Sequence, residues 1–150
     1  MSYLQSLEDP ISIRKGAING VAAGAGFNLA LSCDIVLCCK SARFVQSFAK
    51  VGLIPDCGGF YLLPKIVGIY KAKELMFTAD ILGADAALRV GIINTIYEDD
   101  RLSENVYALA KRLAEGAPIA LGMIKTMVNR SNHLIWKGHW NLKRISKLFV

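Results

Sequence analysis

From Gly16 to Cys33 the chain runs for 18 residues without a charge, carries four glycines, and then passes at Asp34 straight into the apolar run Ile35 to Cys39. That sequence leaves few ways to fold. Gly16, Gly20 and Gly24 recur at four-residue spacing, the small-xxx-small pattern of packed membrane helices, and the length sits at the lower edge of a bilayer span. Asn19, Asn28, Ser32 and the glycines lower its hydropathy, however, and Asp34 opens a second apolar segment at once. A membrane span is therefore rejected. "DIVLCC" (34–39) is compact, β-branched at Ile35 and Val36, and bounded by Asp34 and Lys40, as expected of a strand buried on both faces.

With 53% hydrophobic residues, the chain has ample apolar material for a buried core. Its formal charge of +6 is uneven. Residues 1–115 carry 12 Lys/Arg against 12 Asp/Glu, and all six excess positive charges fall in the acid-free stretch 116–150. A uniformly basic nucleic-acid binder is thus excluded. Cys33, Cys38, Cys39 and Cys57 lack metal-ligand spacing and read as reduced core thiols, which suits a cytoplasmic compartment. The first 16 residues lack the apolar segment of a signal peptide.

Strands are expected within 11–19, at 34–39, at 42–45 and within 91–98. Helices are expected at 25–33, 58–64, 68–78, 83–90, 102–115 and 118–131, with an irregular loop at 46–59. The end of the chain, with Trp136 and Trp140 among Lys and Arg, reads as a basic amphipathic helix, either terminal and interfacial or bound to a membrane or RNA.

The glycines at 24 and 26 invite a nucleotide reading, but "GAGFNL" has Leu29 where a dinucleotide fingerprint needs its third glycine, and no acid lies near residue 46. No P-loop and no Gly-x-Ser-x-Gly elbow is present. Two readings stay open for Gly24, Ala25 and Gly26. Either they let a strand pack tightly on a helix, or they bare the first-turn N–H groups of that helix to a developing oxyanion, where one such donor is worth about 3 to 4 kcal/mol.

Three blocks, "NGVAAGAGFNLALSCDI", "ARFVQSFAKVGLIPDCGG" and "LLPKIVG", in that order, resemble the enoyl-CoA hydratase/isomerase (crotonase) superfamily from about residue 18 to 129. Within it, Asn28 together with "IPDCGG" is most similar to the 1,2-epoxyphenylacetyl-CoA isomerase branch of phenylacetate degradation. The resemblance implies an α/β fold, a crotonase-like spiral of β-β-α units with a C-terminal helical region, incomplete at the N-terminus. It divides the chain into a partial core, 1–115, and a C-terminal helical, basic segment, 116–150.

The resemblance further implies an acyl-CoA thioester as partner, no metal or redox cofactor, and a homo-oligomer, trimer or hexamer, when complete. It places one oxyanion donor on the Ala25 amide beside Gly24 and Gly26; the second donor belongs to an upstream segment without a counterpart here. The two glutamates that hydratases of the family use map onto Asn28 and Phe48, whereas Asp56 falls where several isomerases keep a catalytic aspartate. Asp56 is then a proton carrier, or alternatively a cap for the helix after it. Asn28 either meets substrate, positions Asp56, or satisfies nearby backbone. Phe48, Pro55, Gly58, Phe60 and Tyr61 are candidates to line an acyl pocket, or plain core. Isomerisation is favoured, with hydration, or an incomplete chain acting only in subunit interaction, as alternatives.

Overall fold

The computed structural model describes residues 12–131. They fall into two compact units: one is Arg14–Lys111, and the other holds, among the described residues, 12–13 and 112–131. The Trp136 and Trp140 segment lies outside the described residues.

The larger unit is built from a repeating turn. Strands β1 (Lys15–Ile18) and β2 (Val21–Ala23) lead into helix α1 (Ala25–Leu31), and β3 (Ile35–Cys39) and β4 (Arg43–Val45) then repeat the pair of strands. β1 lies parallel to β3, with Lys15 opposite Ile35 and Ile18 opposite Cys38. β2 lies parallel to β4, with Val21 opposite Arg43 and Ala23 opposite Val45. Parallel neighbours require a crossover, and α1 with its flanking turns supplies it. The result is a β-β-α spiral. β6 (Thr95–Tyr97) extends the first sheet alongside β3, and β5 (Leu82–Gly83) pairs antiparallel with β4 in the second.

β3 is the centre of its sheet, and Val36, Leu37, Cys38 and Cys39 are all buried. Burial, with Cys39 and Asp85 adding negative charge, pushes the Cys38 thiol up to about 11. Between the sheets and the helices, Phe27 of α1 and Phe44 of β4 meet with ring centroids 5.5 Å apart and planes tilted by 54°. Beyond β4 a 3-10 turn (Ser47–Val51) precedes α2 (Gly59–Val67) and α3 (Ile69–Thr78), which are joined at Gly68 with φ +81°. α4 (Ala84–Arg89) and α5 (Leu102–Ala114) follow, and Leu63, Leu75, Ala87 and Leu102 bring these helices onto the core.

In the smaller unit, α6 (Pro118–Ser131) starts with proline, whose missing N–H costs nothing in a first turn. Lys125 of α6 is buried and donates from Nζ to the Ser12 carbonyl at 2.7 Å.

Several expectations need correction. The 46–59 stretch contains regular structure, the 3-10 turn. α2 runs through Pro64 to Val67 instead of stopping at 64, and Val21–Ala23 forms a strand that its short sequence did not announce. Cys38 and Cys39 are buried thiols, but Cys57, in a turn with φ +45°, is exposed. The uncharged stretch 16–33 is divided among β1, β2 and α1, and no helix among the described residues is long and apolar enough to cross a membrane.

Candidate functional site

The site is assembled around the start of α1. Gly24 adopts φ +50° and ψ −118°, a conformation that L side chains rarely take, and its N–H donates to the Val45 carbonyl at 2.9 Å. A Cβ there would also press on Ser47 Oγ at 3.3 Å and on the Phe48 ring at 3.4 Å. The positive φ favours glycine, and the close neighbours add to the cost of any Cβ. The first helical bond of α1 runs from the Asn28 N–H to the Gly24 carbonyl at 3.1 Å, so the amides of Ala25, Gly26 and Phe27 precede the ladder. Ala25 and Gly26 are exposed, and a Cβ added to Gly26 would meet nothing within 4 Å. The turn is thus packed tightly behind Gly24 and bare over Gly26.

One helical turn on, Asn28 is fully buried, and both ends of its carboxamide are used. Its Oδ1 accepts from Gln46 Nε2 at 2.7 Å, and its Nδ2 donates to the main-chain carbonyl of Asp56 at 2.9 Å. That carbonyl also accepts the Gly59 N–H at 2.9 Å. Gly59 lies against the same carboxamide: a Cβ there would sit 2.5 Å from Nδ2 and 2.7 Å from Cγ and Oδ1. Three segments, the end of β4, the second turn of α1 and the loop before α2, therefore converge on one amide group.

Asp56 itself is exposed, with its main chain fixed and its side chain on the surface. It does not cap α2 through its carboxylate. The N-cap is Gly58 at φ +80°, without a side-chain cap bond, and Asp56 contributes its carbonyl instead. The Cys57 thiol hydrogen-bonds the Asp56 carboxylate, which raises the thiol above its ordinary range.

The proposed lining residues divide. Phe48 is buried behind Gly24, Pro55 is half-buried, and Gly58 and Phe60 are exposed at the start of α2. Tyr61 is exposed and carries the Lys65 ammonium over its ring at 3.7 Å. Asn28 joins the start of α1 to the Asp56 loop directly. Gln46 and Gly59, which complete that junction, were not singled out from the sequence. The signal available was a buried-type position for a polar residue at the end of β4 and a second glycine after Gly58. Among the described residues, no group of three or more His, Cys, Asp or Glu side chains is placed to hold a metal.

The model of the enoyl-CoA hydratase/isomerase family matches residues 7–140. The chain belongs to the enoyl-CoA hydratase/isomerase family. It is 45% identical over 113 residues to the 1,2-epoxyphenylacetyl-CoA isomerase of Escherichia coli K12, a match covering 75% of this chain and 43% of that protein. It is 38% identical over 127 residues to the short-chain-enoyl-CoA hydratase of Clostridium acetobutylicum, covering 85% of this chain and 48% of the relative. The crystal structure of an enoyl-CoA hydratase homologue from Thermobifida fusca YX, in complex with acetoacetyl-CoA, superposes with a TM-score of 0.91 at 29% identity, covering 95% of this chain and 56% of that one. The crotonase-like fold expected from the resemblance is the fold observed. The chain spans about half the length of the relatives it matches. Their names divide between isomerase and hydratase, so family membership does not by itself assign a reaction to this chain.

Proposed function

We propose that this chain carries one oxyanion donor and the proton carrier of an acyl-CoA isomerase, acting on enoyl-CoA or 1,2-epoxyphenylacetyl-CoA. The observation that supports it best is the Asn28 carboxamide, which ties the Asp56 main chain to the helix that starts at Ala25. The Ala25 N–H, with a second donor from an upstream segment, stabilises the thioester oxygen as it gains negative charge. For an enoyl substrate, the Asp56 carboxylate takes a proton from carbon, the C–H electrons pass into the enolate, and the proton returns at a different carbon. The balance is an isomerisation that consumes no co-reactant, so neither metal nor redox cofactor is needed and CoA is part of the substrate.

Hydration is disfavoured by the side chains at the two positions where the resemblance places its glutamates. Asn28 has both polar ends engaged, and Phe48 has no acid-base group. Exposed Leu53, Ile54 and Phe60 on either side of Asp56 offer apolar surface to an acyl or aromatic group. Four free thiols suit a reducing, cytoplasmic setting, and the family resemblance favours a homo-oligomer.

The test is kinetic. A full-length version, with the upstream donor segment of a relative supplied, is expected to isomerise one of these thioesters and to lose about 100- to 10,000-fold of its turnover on Asp56→Asn. Unchanged turnover in that variant removes Asp56 from the mechanism. A complete protein that hydrates and never isomerises favours the hydratase reading; one with neither activity favours a role in subunit interaction alone.

A further inference from the structure

We infer that Gln46 is a positioning residue for the Asp56 loop, acting through Asn28; its bearing on catalysis rests on the isomerase reading above. A carboxamide can be turned over to exchange its donor and acceptor ends with almost no change of shape, so its orientation is set by its partners. At Asn28 those partners are opposite in kind. Gln46 Nε2 is a donor and reaches Oδ1 at 2.7 Å, which leaves Nδ2 to face the Asp56 carbonyl at 2.9 Å. Without a donor at 46, the Asp56 carbonyl alone orients the amide, and Oδ1 is left buried without the hydrogen bond that opposes rotation away from that carbonyl. Gln46 is 1% exposed and Asn28 0%, so water does not readily take over either bond.

A role confined to filling space does not account for this arrangement. Gln46 Oε1 is buried without a hydrogen-bond partner, a costly placement for an amide that an apolar side chain of similar volume would avoid. What glutamine supplies and an apolar residue cannot is the Nε2 donor. It sits at the end of β4, one position beyond Val45, whose carbonyl anchors the Gly24 N–H. Val45, the last residue of β4, and Gln46, the residue after it, therefore hold the two halves of the candidate site: Val45 the oxyanion turn, Gln46 the acid loop.

Gln46→Met keeps the volume and removes the donor; Gln46→Glu keeps the shape and has a donor only when protonated. In the 150-residue chain, hydrogen exchange followed by NMR at the Asn28 side-chain amide and the Gly59 backbone amide reads the junction directly. Both variants are expected to lose about tenfold or more of the protection at these two sites at neutral pH, while the Phe27 and Val36 amides keep theirs; a tenfold loss corresponds to one hydrogen bond. Gln46→Glu regains protection as pH falls and its carboxyl takes up a proton, whereas Gln46→Met does not. In the full-length version, kcat falls by about 10- to 100-fold with KM within about twofold, and for Gln46→Glu the loss shrinks at low pH.

Wild-type protection at both sites in Gln46→Met overturns the inference, as does a pH response shared by the two variants. Loss of protection throughout the core would show that Gln46 supports the fold rather than the loop, and also overturns it. A wild-type protein without isomerase activity sinks the proposed function alone, because the exchange measurement needs no substrate.

Discussion

Gly59→Ala is expected to destabilise the protein although it replaces glycine by the best helix former in a first helical turn. By propensity alone, Gly to Ala in a helix gains about 1 kcal/mol, less at a terminus. Gly59 does not require positive φ, so no backbone strain opposes the change. What opposes it is Asn28. The new Cβ would sit 2.5 Å from Nδ2 and 2.7 Å from both other carboxamide atoms, far inside van der Waals contact. The carboxamide is held by Gln46 on one side and the Asp56 carbonyl on the other and is fully buried, so it has no solvent to swing into. Relief means moving α2 away from α1 or breaking the two bonds. Overpacking costs about 1 to 3 kcal/mol, and each buried bond lost costs about 1 kcal/mol more. The net expectation is a loss of about 2 to 4 kcal/mol. Gly26→Ala is the matched control: it lies in α1, has no atom within 4 Å of its new Cβ, and should gain up to about 1 kcal/mol. Urea unfolding followed by circular dichroism measures both. A Gly59→Ala protein as stable as wild type would refute the packing argument around Asn28.

Asn28→Asp replaces the Nδ2 donor by an oxygen facing the Asp56 carbonyl, and should cost about 1 to 3 kcal/mol at neutral pH. Burial favours the neutral acid, so its pKa rises on folding; its stability penalty is absent below the ordinary carboxylate pKa and grows as pH rises, and urea midpoints from pH 4 to 8 would expose any opposite trend. Cys38, held up at about 11, binds its proton more tightly folded than unfolded, so its contribution is complete below pH 9.0 and is lost as pH climbs from there toward 11. Comparing the alkaline slope of stability with that of Cys38→Ala checks the sign; identical slopes would refute it. Ellman's reagent at pH 8 should label Cys57 in the folded protein and reach Cys38 and Cys39 only on unfolding; rapid folded-state labelling of all three would contradict their burial.

The strand at 35–39 was legible because five apolar residues between an aspartate and a lysine have little alternative to a two-faced burial, and the structure buries four of them. Helices α3 to α6 were legible by their periodicity. β2 was not, because Val21, Ala22 and Ala23 carry no pattern of their own and become a strand only when β4 provides the ladder. The end of α2 was misjudged because Pro64 costs a helix one hydrogen bond, and packing of Leu63 and Ile66 on the core carries the helix beyond it.

The candidate site divides along the same line. Gly24 was readable, since a glycine between strand and helix reports a local conformation. For Asn28 the sequence left three roles open, positioning of Asp56 among them, and could not choose, because its partners Gln46 and Asp56 stand 18 and 28 residues away and meet it only through the spiral. A carboxylate in place of its amide would accept from Gln46 as well as Asn28 does, yet would have nothing to donate to Asp56. Where the resemblance expects a hydratase's glutamate, Asn28 therefore does more than lack an acid: it supplies a donor to the main chain of the loop carrying Asp56. Seen this way, Asn28 and Asp56 form one unit, in which a buried carboxamide with no acid-base role holds the main chain of the residue proposed to carry the proton.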